Sequence, residues 1–431
     1  MQTWKAGIAK AIVTPAKPLW LAGYGGIRQA EGKRHDLWVK ALALEAEEGK
    51  RALLLTSDLL GLSKPMVDRL CAALQQRFGL ERSQVMLTYS HNHCAPVTSE
   101  TLLDYYPLDA AQWAAVDEYT QWLEDQIIAV IGEALSTLVP ATLSAGMGET
   151  NFAVNRRNNR EAEVSDILAA GMLLNGPTDH SVPVLAVRTQ DDRLVAVIFG
   201  YACHTTTLND CLWCGDYAGY AQIAVEQQFP GVTAMFWAGC GGDQNPLPRR
   251  SVALCEQYGI MLAEAVTAVL TRPMRPISAQ LYTASTTVTL PYERHPTYQE
   301  LEADTHSDNA IRKRWATRLL ETPDADRTFA PSYPYTVQVW RLGDEQLWIS
   351  LGAEAVVDYA LRFKREYGPD TWVVGYAHDM VAYIPSRRVW EEGGYEGGYL
   401  YEYGLPAYRW ASNVEDLIAA AVAQLAIRGG L

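Results

Sequence analysis

Arg51–Asp58 reads RALLLTSD, Lys64–Phe78 reads KPMVDRLCAALQQRF, and Ser83–His91 reads SQVMLTYSH. The first and third segments are short apolar runs of strand length, and the middle one repeats its apolar residues at helical spacing. Strand, helix and strand in direct succession predict a βαβ unit, whose strands are buried on both faces and therefore lack a simple in–out alternation. His91 stands at the carboxyl end of the second strand. In open α/β sheets the loops at that end border a crevice, so its position favours chemistry over packing.

Working outward, Trp113, Val116, Tyr119, Leu123, Ile127, Val130, Ile131 and Ala134 share one helical face ahead of Pro140 and predict a long helix covering a sheet. The runs DILAAGMLL, VPVLAVRT and LVAVIFGYACH read as further strands, the last delivering His204 as the earlier strand delivers His91. GDYAGYAQIAVEQQF predicts a helix, and VTAMFWAGCGGDQNPLP a strand entering a Gly-rich turn that carries Asp243 and Asn245. That turn lacks Walker or dinucleotide spacing, so no nucleotide site is inferred. A charged helix is expected around Ala310 to Glu321. In QLWISLGAEAVVDYALRFKREYG, Glu354 falls at a strand-to-helix turn, and the Gly- and Tyr-rich GGYEGGYLYEYGLPAYRW reads as an ordered loop. No repeat, linker or low-complexity tract divides the chain. The expected fold class is α/β, mixed β-sheets flanked by helices, forming a single large catalytic domain over residues 1–431.

Composition narrows the partners. The 431 residues carry 36 Lys+Arg against 50 Asp+Glu, a formal charge of −14 that repels nucleic acid and anionic lipid surfaces. No stretch reads as long and apolar enough to span a bilayer, and neither a basic amphipathic helix nor a lipidation motif suggests stable membrane association. The amino terminus lacks the pattern of a secretion signal, which gives a cytoplasmic expectation. Seven scattered cysteines do not form a disulfide framework. The CLWC pair, Cys211 and Cys214, has no second pair to complete a zinc knuckle and reads as structural. A small-molecule substrate is the expected partner, and a homo-oligomer stays open.

The polar groups landing at strand ends are His91, His93, His204, Asp243 and Glu354. Imidazoles and carboxylates together suit zinc or a similar divalent ion. Spacing alone does not decide for a metal, since no His-Glu-x-x-His helix or closed Cys/His cluster is present. His91 and His93 would also point to opposite sides of an extended chain unless the backbone turns, as Pro96 allows. His35, His180, His295 and His306 read as surface or hydrogen-bonded residues.

The same segments resemble the neutral/alkaline (non-lysosomal) ceramidase family. SHNHCAP is similar to its Thr-His-Thr-His-Ser-Gly-Pro motif, VNRRNN to its Asn-Arg-Ser element, and GYACHTTTL with GDYAGYA to its His-Pro-Thr and Asp-x-x-Gly-Tyr-Ala region. KAGIAKAIVTP followed by LAGYG resembles its opening strand. FWAGCGGDQNP, LGAEAVVDYALRFK and AYIPSRRVWEEGGYEG resemble later motifs in the same order. The resemblance implies zinc ligands at His91, His204, Glu354 and Tyr383, and substrate contacts at His93 and Arg156. Tyr383 comes from the resemblance alone. Where the family has a serine in the Gly-Asp-x-Ser-Pro-Asn turn, this chain has Asn245, which cannot form an acyl-enzyme but can donate a hydrogen bond to a developing oxyanion. The expected organisation is the catalytic domain alone, without the family's carboxyl-terminal immunoglobulin-like domain.

The reading is a zinc-dependent hydrolase that uses a metal-activated water on an amide of a soluble N-acyl compound, with Asp243 ordering the Gly-rich turn or orienting a ligand. The same ligand set would accept manganese, iron or cobalt. Two rivals stand: cleavage of an ester, lactone or glycosidic C–O bond in a sugar-like or cyclitol substrate, and a pseudoenzyme or ligand-binding protein that keeps the metal site.

Overall fold

A computed structural model describes residues 3–321 and 329–429. Thirteen strands form one mixed sheet: β1 (Trp4–Ile12), β2 (Trp38–Glu45), β3 (Arg51–Ser57), β4 (Val85–Tyr89), β5 (Val139–Glu149), β6 (Ser181–Thr189), β7 (Leu194–Tyr201), β8 (Thr233–Ala238), β9 (Arg275–Ile277), β10 (Leu281–Pro291), β11 (Ser332–Leu342), β12 (Gln346–Gly352) and β13 (Trp372–Ala377). The order across it is β8-β7-β6-β5-β1-β2-β3-β4-β13-β12-β11-β10, with β9 on β5. The opening segments form the expected unit: β3 and β4 pair in parallel, Leu54 opposite Met86, across helix α1 (Lys64–Phe78). Ser63 caps α1 by accepting from the Met66 N–H, and Gly79 ends it in the left-handed region.

Side chains on a strand alternate between two faces, and each face here has its own cover. Leu53, Leu55, Val85 and Leu87 point to α1 and to α2 (Ala110–Ser136), while Val197, Phe199, Ala234 and Phe236 point to α3 (Asp216–Gln228) and α4 (Val252–Leu270). Val337, Val339 and Ile349 face α5 (Val357–Tyr367) and α6 (Val414–Arg428). The opposite face contributes Leu54, Met86, Ile198, Met235, Trp237, Trp348 and Trp372 to a cluster that contains no helical residue. The sheet achieves this by curling until edge strand β8 returns to β13. Gly239 bridges Val374, and the Trp237 and Trp348 ring centroids are 5.8 Å apart. Helices thus cover the outside, and the sheet's two halves cover each other.

Gly200 on β7 lies directly beneath Trp237. A Cβ there would meet the indole at 2.4 Å, so Gly200→Ala is expected to destabilise the protein by about 1–3 kcal/mol through overpacking. A lowered urea midpoint at unchanged slope would report it; an unchanged midpoint would contradict the packing.

Two sequence expectations need correction. DILAAGMLL is not a strand: Glu161–Ala169 is a helix followed by turn, with Val164 buried and Met172 and Leu173 exposed. A short apolar run does not distinguish helix from strand, and the Ala, Glu and Leu around it favour helix. Secondly, α4 does reach the length and hydropathy of a membrane span, at a mean hydropathy of 1.3. Its apolar side, including Leu262, Val266 and Val269, lies against the sheet. All seven cysteines are free, and Leu212–Trp213 inside CLWC pairs with Gly32–Lys33.

Candidate metal centre

The curl gathers strand ends that are remote in sequence. His91 follows β4, His204 follows β7, and a parallel bridge between Asn92 and Thr205 sets the two loops side by side. Glu354 and Tyr383 are register partners in a two-residue parallel pairing after β12 and β13. His91 has φ 57° and Ala353 has φ 59°, left-handed conformations that cost non-glycine residues about 1–3 kcal/mol each and that concentrate at functional sites. The turn at His91 removes the objection of an extended chain, since His93 Nε2 comes within 3.3 Å of His91 Nε2.

The donor atoms converge. Glu354 Oε2 lies 3.2 Å from His91 Nε2 and 3.0 Å from His204 Nε2, and the Tyr383 hydroxyl is 3.2 Å from His204 Nε2. The ligand atoms of His91, His93 and His204 all fall within 4.8 Å of one another, on buried residues. A tetrahedral ion with ligands at about 2.0 Å separates neighbouring donors by about 3.3 Å, which these spacings approach. His91 Nδ1 donates to the Leu60 carbonyl at 3.0 Å and His204 Nδ1 to the Gly241 carbonyl at 2.7 Å. Each ring thereby turns an unprotonated Nε2 toward Glu354, the second-sphere arrangement that orients metal-ligating histidines.

Charge points the same way. Burial opposes a charge on Glu354, while the His91 and His204 imidazoles beside it, by charge and hydrogen bonding, hold its carboxyl well below the usual range. Burial, aided by Arg156, pushes His204 down to about 4. A cation among the donors satisfies both groups, and the cluster can hold a metal ion. Tyr403 donates to Glu354 Oε1 at 2.7 Å, which leaves Oε2 for the centre.

His93 differs from its neighbours. Its Nδ1 has no hydrogen-bond partner, and burial holds the ring well below the ordinary histidine range. It lines a small cavity with Tyr105, Met380, Tyr383, Tyr395 and Tyr403. Gly23, at φ 86°, makes room for it, because a Cβ there would meet the imidazole at 2.3 Å. Gly23→Ala is therefore expected to displace His93, lowering kcat by about 10²-fold with metal content unchanged; loss of metal instead would make His93 an indispensable ligand.

Arg156 ties the outer residues to the centre. Its guanidinium donates to Tyr383 OH at 2.8 Å, Asn245 Oδ1 at 3.2 Å, the Gly242 carbonyl at 2.9 Å and Glu396 Oε1 at 2.8 Å. With Oδ1 so engaged, the Asn245 amide is left as a donor. Asp243 takes a structural place: fully buried, it accepts from the Val357 N–H at 2.8 Å and from Asn155 at 3.0 Å, pinning the Gly-rich turn to the start of α5, and burial pushes its carboxyl up to about 6. Tyr403, Glu396 and Tyr376, whose ring lies 4.4 Å from that of His91, were not singled out by sequence. The first two belong to the Gly/Tyr-rich tail, whose composition was the available signal.

No protein-family model matches the chain, and no curated protein sequence does. Among solved structures it is similar to a ceramidase complexed with C2, with a TM-score of 0.74 at 17% identity over 99% of this chain and 76% of that one. It is also similar to the neutral ceramidase from Pseudomonas aeruginosa, with a TM-score of 0.73 at 18% identity over 99% of this chain and 75% of that one. The chain has the fold of these ceramidases along nearly its whole length, in agreement with the order of its motifs.

Proposed function

We propose that the protein is a zinc-dependent hydrolase of an amide bond in a soluble N-acyl compound. The observation that carries this reading is the gathering of two carbonyl-oriented imidazoles, a carboxylate and a phenol in one buried cluster, with Glu354 Oε2 3.2 and 3.0 Å from the two imidazoles and the Tyr383 hydroxyl 3.2 Å from His204. His91, His204, Glu354 and Tyr383 would hold the ion. A zinc ion there supplies a Lewis acid for a carbonyl and a water acidified to a pKa of about 7. The fold shared with ceramidases supports an amide as the bond attacked.

The remaining steps belong to the chain's own groups. Arg156 and the Asn245 amide are donors for the carbonyl oxygen as it gains charge. His93, whose Nε2 comes within 3.3 Å of His91 Nε2 and whose ring is on the cavity wall, would contact the substrate and pass a proton to the departing nitrogen. The C–N bond breaks, the water oxygen stays on the acyl carbon, and its proton leaves with the amine. Asn245 removes serine acylation from the scheme and leaves hydrolysis by water intact.

Removing metal with dipicolinate and assaying a panel of soluble N-acyl amines tests the reading. Activity should vanish and return on addition of one equivalent of Zn2+; a metal-free preparation that stays fully active would overturn it.

A further inference from the structure

The pocket beside His91, His93 and Glu354 has a volume of about 30 Å³, enough for an ion or a water. Most of a substrate must be held outside it. There the chain builds a basin of about 760 Å³, a volume typical of ligand sites, which span about 300–1,000 Å³. Tyr395 lines both spaces, and Arg156, on the basin wall, bonds directly to Tyr383 of the centre.

The basin wall excludes two substrate classes. Arg249 pairs with Glu161 at 2.6 Å, Arg157 with Glu396 at 2.6 Å and Glu392 at 3.1 Å, Arg156 with Glu396 at 2.8 Å, and Arg160 with Glu163 at 3.3 Å. Each guanidinium already faces a carboxylate, so an anionic substrate meets no uncompensated cation. Leu247 is the one aliphatic residue among the lining residues, so a long alkyl chain meets no apolar wall. Alternating donors and acceptors remain, and they match hydroxyl groups, each of which donates once and accepts twice. Tyr395, 37% exposed, adds an aromatic face against which a saturated ring can pack.

We propose that the basin binds a neutral polyhydroxylated ring, so that the substrate is an N-acylated amino sugar or amino cyclitol. This rests on the amide-hydrolase reading for the bond and on the basin alone for the ring. Calorimetric titration of the metal-loaded protein with N-acetylglucosamine, N-acetylgalactosamine, an N-acetylated aminocyclitol and N-hexylacetamide separates the two.

At least one hydroxylated amide should bind at least tenfold more tightly than N-hexylacetamide, and Tyr395→Ala and Glu392→Ala should each weaken it about tenfold. Equal or tighter binding of N-hexylacetamide, binding indifferent to both substitutions, or no binding of any hydroxylated amide would overturn the proposal. Turnover is followed on the same compounds. Metal-dependent cleavage of N-hexylacetamide without binding of hydroxylated amides would remove the ring and keep the amide. Ring binding without cleavage of any amide would do the reverse.

Discussion

Replacing His204 by Ala is expected to strip the bound ion and to lower kcat/KM by about 10³-fold or more, the scale of losing a principal electrostatic stabiliser of the transition state. His204 Nε2 touches both Glu354 Oε2 and the Tyr383 hydroxyl, so its removal takes away one donor and the neighbour that brackets two others. Its Nδ1 bond to the Gly241 carbonyl also anchors the Gly-rich turn. A His204→Gln variant, which keeps a polar side chain without imidazole coordination, guards against misfolding as the cause. Both variants should show near-zero metal by elemental analysis, with the far-ultraviolet dichroism of wild type in the Gln form. Full metal content in either would contradict the assignment.

Arg156→Met should separate chemistry from metal binding. The substitution keeps much of the stem's volume while removing the donors that reach Tyr383, Asn245 and the Gly242 carbonyl. Metal should remain near one equivalent because Arg156 is not itself a proposed ligand and His91, His204 and Glu354 keep their contacts, whereas kcat should fall by about 10²–10³-fold, the cost of deleting one donor to a developing oxyanion. Glu396 keeps Arg157 as a partner at 2.6 Å, so the variant does not leave that carboxylate bare. An unchanged kcat with a raised KM would instead make Arg156 a group that binds ground and transition states alike.

The central unit was legible because RALLLTSD and SQVMLTYSH are apolar throughout and the helix between them has a clear period, information carried within each segment. His91, His204 and Glu354 could be found in the same way, since each lies just past a readable strand. The curl that brings β8 back to β13 was not legible: it depends on Trp237 packing over Gly200 and against Trp348, a relation among residues far apart in sequence. Tyr383 needed the resemblance, because the two-residue pairing that sets it beside Glu354 is too short for any periodic signal. Tyr403 and Glu396 were hidden for the opposite reason, in a tail so rich in tyrosine, glutamate and glycine that no single position stood out. DILAAGMLL misled because its apolar character is spent on an exposed helix and turn rather than on a core.

The central claim is an ion at the meeting point of four side chains, and diffraction from crystals of the active protein on both sides of the zinc absorption edge addresses it most directly. The expected result is one anomalous peak about 2.0–2.2 Å from His91 Nε2, His204 Nε2, the Glu354 carboxylate and the Tyr383 hydroxyl. Catalytically active crystals with no anomalous peak at that point, for zinc or any other transition metal, would contradict the account.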